Sequence, residues 1–403
     1  MFSIPRTVLI LALVSFLNDA ASDMIAPLLP LFLTATLGAG PAVVGLVEGV
    51  AEATASLLKL ISGRLADRGW NHKRLVVGGY GVSNLARPLI GLALGWGWVL
   101  LLRFLDRVGK GIRTSPRDAL IAASTTERQR GMAFGFHRAL DNAGAMVGPL
   151  IAFALLSLGL DLGKVFLWSL VPGALVLVIL IRGLEDAPAR PLPGVAAPLR
   201  WSHLDHRVRG LILAAGGLAL ASAPEAFLVL WASNRGLALR WVPLIWAAAN
   251  AVKALVAAPA GTLSDRLGRR PVLIAGWSLR IVLLLLLAVG VSGDNDAVTW
   301  LLFLGYAGAL AATEGAERAL IGDFTPGQER GSAFGLYHMS VGLAALPGAL
   351  IFGGIWQLLG SPAAFLAAAM IATFAVAVLL VLGRVRVREV TIRSDPRENL
   401  TEL

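Results

Sequence analysis

The chain has 403 residues, 57% of them hydrophobic and 15% charged, with 45 glycines, no cysteine and a net charge of +10. Soluble domains carry roughly 25% charged residues, so this composition excludes an ordinary soluble domain, and the missing thiols exclude disulfides and thiolate metal sites. The five histidines are scattered without His-x3-His spacing, so neither a metal nor a cofactor is expected.

Apolar runs of membrane-spanning length recur at 7–37, 41–63, 74–95, 97–121, 131–158, 164–182, 207–234, 241–260, 271–291, 297–321, 331–358 and 362–383. The pattern predicts an all-α membrane protein with about twelve transmembrane helices. With the N-terminus inside, about 21 of the 35 lysines and arginines fall in cytoplasmic segments and about 3 in external loops, the positive-inside asymmetry. The basic excess therefore reads as topology, not as nucleic-acid binding. It places both termini on the cytoplasmic side of a bacterial-type inner membrane. Arg6 and the run Val8–Leu17 resemble a signal peptide, but no small-x-small site follows and apolar sequence resumes at Met24, so retention is expected.

In the first span "FLNDAASDM" sets Asp19 and Asp23 at i,i+4, on one face. The second carries Glu48, Glu52 and Lys59 on a shared face and runs into "GRLADR", with Gly63, Asp67 and Arg68. Glycines there allow close helix approach, and the aspartate can cap a neighbouring helix.

The fourth span holds "DRVGKGIRTSPRD", six charged side chains in thirteen residues. At 100° per residue Arg103, Asp106, Arg107, Lys110, Arg113 and Arg117 occupy a sector of about 120°. One charge at mid-membrane costs roughly 2.5–3.5 kcal/mol on insertion scales. The stripe must then face the protein interior or water. Arg113 and Arg117, nearer the cytoplasm, are placed to pair with Asp67 in a gate.

The fifth span brings Arg138, Asp141, Gly135, Gly144, Gly148 and Pro149. Its small residues favour tight packing, and Pro149 favours a kink. The segment "LEDAPARPLPGVAAPLRWSH" then interrupts the helical pattern with four prolines and reads as a linker over 183–206. Beyond it lie Glu225, Asn250 and the tryptophans 231, 241 and 246 with Phe227, candidate wall residues, and then Glu314, Glu317 and Arg318.

The two halves repeat. "ERQRGMAFGFHRAL" (127–140) aligns with "GQERGSAFGLYHMS" (327–340) at an offset of 200, as "RDALI" (117–121) does with "ERALI" (317–321). "GRLADR" (63–68) matches "GTLSDR" (261–266), which carries Gly261, Asp265 and Arg266. The expected organisation is a six-helix bundle over 1–182, the linker 183–206, a second six-helix bundle over 207–383 and a cytoplasmic tail over 384–403. Parallel repeats of this kind place a binding site near the bilayer midplane between the halves.

The paired Gly-x-Leu-(Ala/Ser)-Asp-Arg loops resemble the signature loop of the major facilitator superfamily, and the resemblance covers essentially the whole chain. The second copy fits the pattern fully; the first has Trp70 where the pattern has its second glycine. The resemblance implies an interdomain lock for Gly63, Asp67, Arg68, Gly261, Asp265 and Arg266. Gly135, Gly144, Gly148 and Pro149 follow the spacing associated with the superfamily's antiporters, with Ala152 replacing one glycine. "RFLDRVGKG" is similar to the family's Arg-x-x-Gln-Gly-x-Gly, with Asp106 in place of glutamine and Arg107 in place of glycine. This implies a proton-relay role for Arg103.

The expected activity is proton-coupled export of a small anionic or zwitterionic molecule by a monomer. Asp19, Asp23, Glu52 and Asp106 are the favoured carriers, with Glu48, Arg103, Arg107, Lys110, Asp141, Glu225 and Asn250 completing the proton- and substrate-binding set. An organic-anion importer is the main alternative. A membrane-embedded enzyme has no supporting motif such as His-Glu-x-x-His or Gly-x-Ser-x-Gly, and a sensor leaves the charged stripe without a purpose.

Overall fold

The computed structural model describes residues 4–67, 70–184, 206–289, 296–324 and 330–383. Arg68, the linker from 185 to 205 and the tail from 384 onward lie outside the described residues.

Within the described residues the elements are helical: α1 (Arg6–Asp23), α2 (Leu29–Leu31), α3 (Pro41–Asp67), α4 (His72–Leu89), α5 (Trp96–Ala123), α6 (Glu127–Ser157), α7 (Leu162–Trp168), α8 (Leu170–Gly183), α9 (His206–Ala221), α10 (Glu225–Asn234), α11 (Val242–Leu267), α12 (Arg269–Val289), α13 (Asp296–Phe324), α14 (Arg330–Leu359) and α15 (Ser361–Gly383). Nine stretches among them are long and apolar enough to cross a membrane. The helices α1, α4 and α5 fall outside that set, and each carries three or more charged side chains. Large apolar side chains such as Leu255, Leu301 and Phe374 stand exposed on the outer surface, where a lipid-facing wall needs them.

Two expected spans are interrupted. The run 7–37 is no single helix: α1 stops at Asp23, and a turn, α2 and a wide helical turn over Phe32–Thr36 follow. Pro27 and Pro30 lie in this stretch, and proline supplies no backbone N–H to an i→i−4 ladder. The run 207–234 likewise parts between Ala221 and Glu225, with Pro224 extended at the N-cap of α10. A smaller irregularity divides α7 from α8 at Ser169, whose hydroxyl donates to the Phe166 carbonyl (2.6 Å). Both larger breaks set a carboxylate at a helix end, Asp23 and Glu225.

Packing follows small residues. A Cβ on Gly144 or Gly148 of α6 would run into the Phe16 or Ala20 carbonyl oxygen of α1, so these backbones touch. Gly79 of α4 and Gly109 of α5 approach each other in the same way. Further along, α11 and α12 pack on α13, and α9 packs on α14 and α15.

Two seams join the N- and C-terminal portions: α3 against α14, and α6 against α11. On α3, Gly45 meets the Ala349 carbonyl and Gly49 meets Leu346, while on α14 Gly353 meets the Pro41 carbonyl. The Gln357 side chain accepts a hydrogen bond from the Ala42 amide (3.2 Å), and Phe153 stacks on Trp241 at 5.7 Å. These contacts close one end of the molecule. Toward the other end a Cβ on Gly131, Gly135 or Gly261 would meet no described residue within 4 Å.

Candidate functional site: a charged cavity

A cavity of about 340 Å³ lies beneath the closed end, lined by Asp23, Glu48, Glu52, Arg103, Arg107, Lys110, Glu225 and Trp246 among others. A second, of about 510 Å³, shares Glu52, Ala219, Ser222 and Glu225 with it and continues to Lys59, Lys253, Arg280, Glu317, Arg318 and His338. Both are bounded by N-terminal and C-terminal helices.

The stripe on α5 points inward, as its charge demands. Arg103, Arg107 and Lys110 reach the first cavity. Asp106 departs from the expectation that it sits on the path. Its side chain is 0% exposed, with Arg87 Nε at 2.8 Å, Arg103 Nη1 at 3.5 Å and Arg107 Nε at 3.9 Å. Arg87 of α4, absent from the sequence-derived set, also donates to the Asn18 backbone carbonyl (3.1 Å) and side chain (2.9 Å). Asp106 therefore binds α4 to α5 inside the N-terminal helices instead of lining the cavity. Arg103 turns its second amino group to Glu48 (3.3 Å) and links the core pair to the wall.

The lower arginines, expected to meet Asp67 in a gate, have partners of their own among the described residues. Arg113 donates to Ser83 Oγ (2.6 Å) and lies over the Tyr80 ring (4.5 Å), while Arg117 pairs with Asp118 (2.9 Å). Burial against α4 thus engages Arg113, and Arg117 finds a carboxylate on its own helix. The Asp67 side chain lies outside the described residues. Among the described residues, none makes the close approach expected at the signature glycines. A Cβ on Gly63 would make only an ordinary 3.6 Å contact with Ser115, and one on Gly261 would meet no described residue within 4 Å. Asp265 pairs with Arg269, which also reaches Asp323 (3.1 Å), so it joins the ends of α11, α12 and α13 instead of capping a helix. Arg266 is exposed. The cap of α4 comes from Asn71, which accepts from the Arg74 amide (3.0 Å).

Of the antiporter-spaced residues, Gly144 and Gly148 make the tight α1 contact, Pro149 lies inside α6, and Gly135 packs on nothing nearby. Asp141 accepts from Ser15 (2.5 Å) and from Arg138 (3.3 Å), and Asp19 accepts from Asn18 (3.0 Å); these two carboxylates stand at the α1–α6 contact, off the cavity wall.

One contact between the portions, Trp246 with Asp23, lies on the cavity itself. Trp246 Nε1 of α11 donates to Asp23 (3.1 Å), and Asn250 donates to the Ala145 carbonyl (3.0 Å). Lys253 pairs with Glu225. On the C-terminal wall Glu317 accepts from Trp277 Nε1 and Tyr337 Oη, both at 2.8 Å. Arg280 donates to Ser222 (2.6 Å) at the α9–α10 break. Arg87, Lys253 and Arg280 were legible only as lone charges in apolar runs. Of the expected wall aromatics Trp246 is on the cavity, whereas Phe227 is buried against Phe352 and Trp356, and Trp231 is buried too.

Comparison with known proteins agrees with this architecture. The Major Facilitator Superfamily model matches residues 11–257 and 244–401. The chain is 31% identical to an uncharacterized MFS-type transporter of Methanocaldococcus jannaschii over 360 residues, 88% of this chain and 89% of that one. It is 27% identical to the multidrug resistance protein MdtH of Photorhabdus laumondii over 344 residues, 83% of this chain and 82% of that one. Among solved structures, a bacterial homolog to the human lysosomal transporter Spinster, in an inward-facing and occupied conformation, superimposes with a TM-score of 0.79 at 18% identity, covering 95% of this chain and 98% of that one. The chain belongs to the Major Facilitator Superfamily and is a multi-pass membrane transporter of that type.

Proposed function

We propose that this transporter exports a small organic anion or zwitterion in exchange for protons, by alternating access of the charged cavity to the two sides of an inner membrane. The reading takes the chain as a monomer of twelve transmembrane helices in two six-helix bundles, 1–182 and 207–383, joined by the 183–206 linker, with both termini cytoplasmic. The observation that carries it is the cavity beneath the closed α3–α14 and α6–α11 seams, walled by charges from both portions. Positive-inside topology puts the closed end outside, so this arrangement fits the inward-open stage of the cycle. Asp23, Glu48, Glu52 and Glu225 on the wall can exchange protons as access alternates, while Arg103, Arg107 and Lys110 attract the anion. Asp19 and Asp141, behind the wall, are proposed as relay groups, Asn250 as a polar contact that re-forms with each closure, and the loops at Gly63–Arg68 and Gly261–Arg266 as the cytoplasmic lock. Export is further supported by the multidrug resistance name of the Photorhabdus relative.

The test is flux in proteoliposomes reconstituted with the purified chain and loaded with candidate organic anions. A proton gradient directed into the compartment that holds the solute should drive its exit against a concentration gradient. Uptake together with protons would replace export by import, and flux indifferent to the gradient would remove proton coupling.

A further inference from the structure

We propose that the transported solute carries two separate anionic groups, one held by Arg107 and Lys110 and the other by Arg280. This inference deepens the organic-anion reading above and rests on it. Its basis is the unequal pairing of charges around the joined cavities. Most wall carboxylates already have a donor: Glu48 has Arg103, Glu225 has Lys253, Glu314 has Arg318, Asp23 has Trp246, and Glu317 has Trp277 and Tyr337. Glu52, on both walls, is the exception among the described residues and stands in the field of Lys110, Arg107 and Lys59 without touching them. Among the described residues Lys110 and Arg280 have no carboxylate in contact, and Arg107 has only the distant edge of Asp106 at 3.9 Å, an oxygen already engaged by Arg103.

Arg280 is the more unusual of these cations. It sits on α12 at 3% exposure, yet it lines the second cavity. One amino group donates to Ser222 (2.6 Å), the guanidinium faces the Tyr306 ring (5.7 Å), and Nε has no partner. A buried guanidinium with an idle donor is costly inside a membrane protein unless an anion completes it. Its planar fork matches a carboxylate or phosphate in two-point contact.

Ser222 is also on the wall of the first cavity, with Arg107 and Lys110. Arg280 thus borders, from the C-terminal helices, a cavity that shares the Glu52, Ser222 and Glu225 wall with the one Arg107 and Lys110 line from α5. A solute with one anionic group gives one wall an anion in contact and leaves the other without one. A solute with two satisfies both and joins the portions through itself. On binding, the second group takes over the donors of Arg280 and frees Ser222 at the α9–α10 break, so occupancy is felt where the chain is least regular.

The experiment measures binding to the purified full chain in detergent, by titration calorimetry with thermal unfolding in parallel. The probes are succinate, glutarate and adipate, each against the straight-chain monocarboxylate of equal carbon number. At least one dicarboxylate should bind roughly tenfold or more tightly than its monocarboxylate, the size expected of one added charge-assisted contact. Arg280→Gln should abolish that preference by weakening the dicarboxylates at least tenfold more than the monocarboxylates, while Arg280→Lys should keep part of it. Lys110→Gln should weaken both classes. Equal affinity for mono- and dicarboxylates, no binding of any dicarboxylate, or an undiminished preference in the Arg280→Gln chain with its unfolding temperature preserved would each overturn the inference. Proton-driven flux of a monoanionic solute alongside such a result would leave the export reading standing without it.

Discussion

Arg87 Nε lies 2.8 Å from Asp106 Oδ1, and the two side chains are 3% and 0% exposed. A carboxylate in that position is surrounded by Arg87, Arg103 and Arg107, so it neutralises part of a cluster largely withdrawn from screening by water. Removing one member of a buried pair leaves the remaining charge uncompensated, and typical costs are about 3–5 kcal/mol.

Asp106→Asn should accordingly lower the thermal unfolding temperature of the detergent-solubilised protein sharply. The double variant Arg87→Met/Asp106→Leu should recover a large part of that loss, because an apolar pair of similar volume needs no solvation. An Asp106→Asn protein that unfolds like the parent but has lost proton-driven flux would restore Asp106 to the transport machinery.

Arg103 occupies both worlds, touching Asp106 on one side and Glu48 at the cavity on the other. Arg103→Ala should reduce flux by at least tenfold in proteoliposomes, equivalent to about 1.4 kcal/mol. Arg393→Ala, in the tail outside the described residues, should leave flux near the parent value.

The α1–α6 contact makes a graded steric prediction. Gly148→Ala places a methyl against the Ala20 carbonyl and Gly144→Ala against Phe16, whereas Gly135→Ala meets nothing within 4 Å. Overpacking of this sort costs about 1–3 kcal/mol, so the first two should lose stability in a detergent melt while the third keeps it.

The absence of cysteine makes the closed end testable by introduced pairs. Cysteines at Ala42 and Gln357, whose backbone and side chain meet across the seam, should be joined by a short bifunctional thiol reagent. Joining them should stop flux, and thiol reduction after a cleavable linker should restore it. Undiminished flux in the joined protein would show that this seam need not part.

Much of this arrangement was legible in the residues. Charge on α5 could not face lipid, so its inward direction followed from solvation alone, and Arg103, Arg107 and Lys110 do reach the cavity. The repeat of "GRLADR" and "GTLSDR" at 63–68 and 261–266 pointed to two related portions. Partnerships were not legible. Whether Asp106 meets water or Arg87 depends on how α4 rotates against α5, which the Gly79–Gly109 contact fixes in three dimensions. The breaks after Asp23 and before Glu225 were marked by Pro27, Pro30 and Pro224, but continuous apolarity masked them. Arg280 was equally visible as a lone charge in "WSLRIVLLL", and nothing local tells that Ser222, 58 positions away, lies beside it.

Gly45 has room only for hydrogen where α3 meets the Ala349 carbonyl. A methyl group there would act as a wedge that strains the closed seam, and the parting of α3 from α14 in the proposed alternating cycle would relieve it. Each 1.4 kcal/mol of such strain moves the balance of conformers about tenfold toward the parted state. Position 45 is thus a dial on resting conformation, set apart from every charge in the cavity, and an alanine or valine there offers a way to hold the opposite-facing form for structural work.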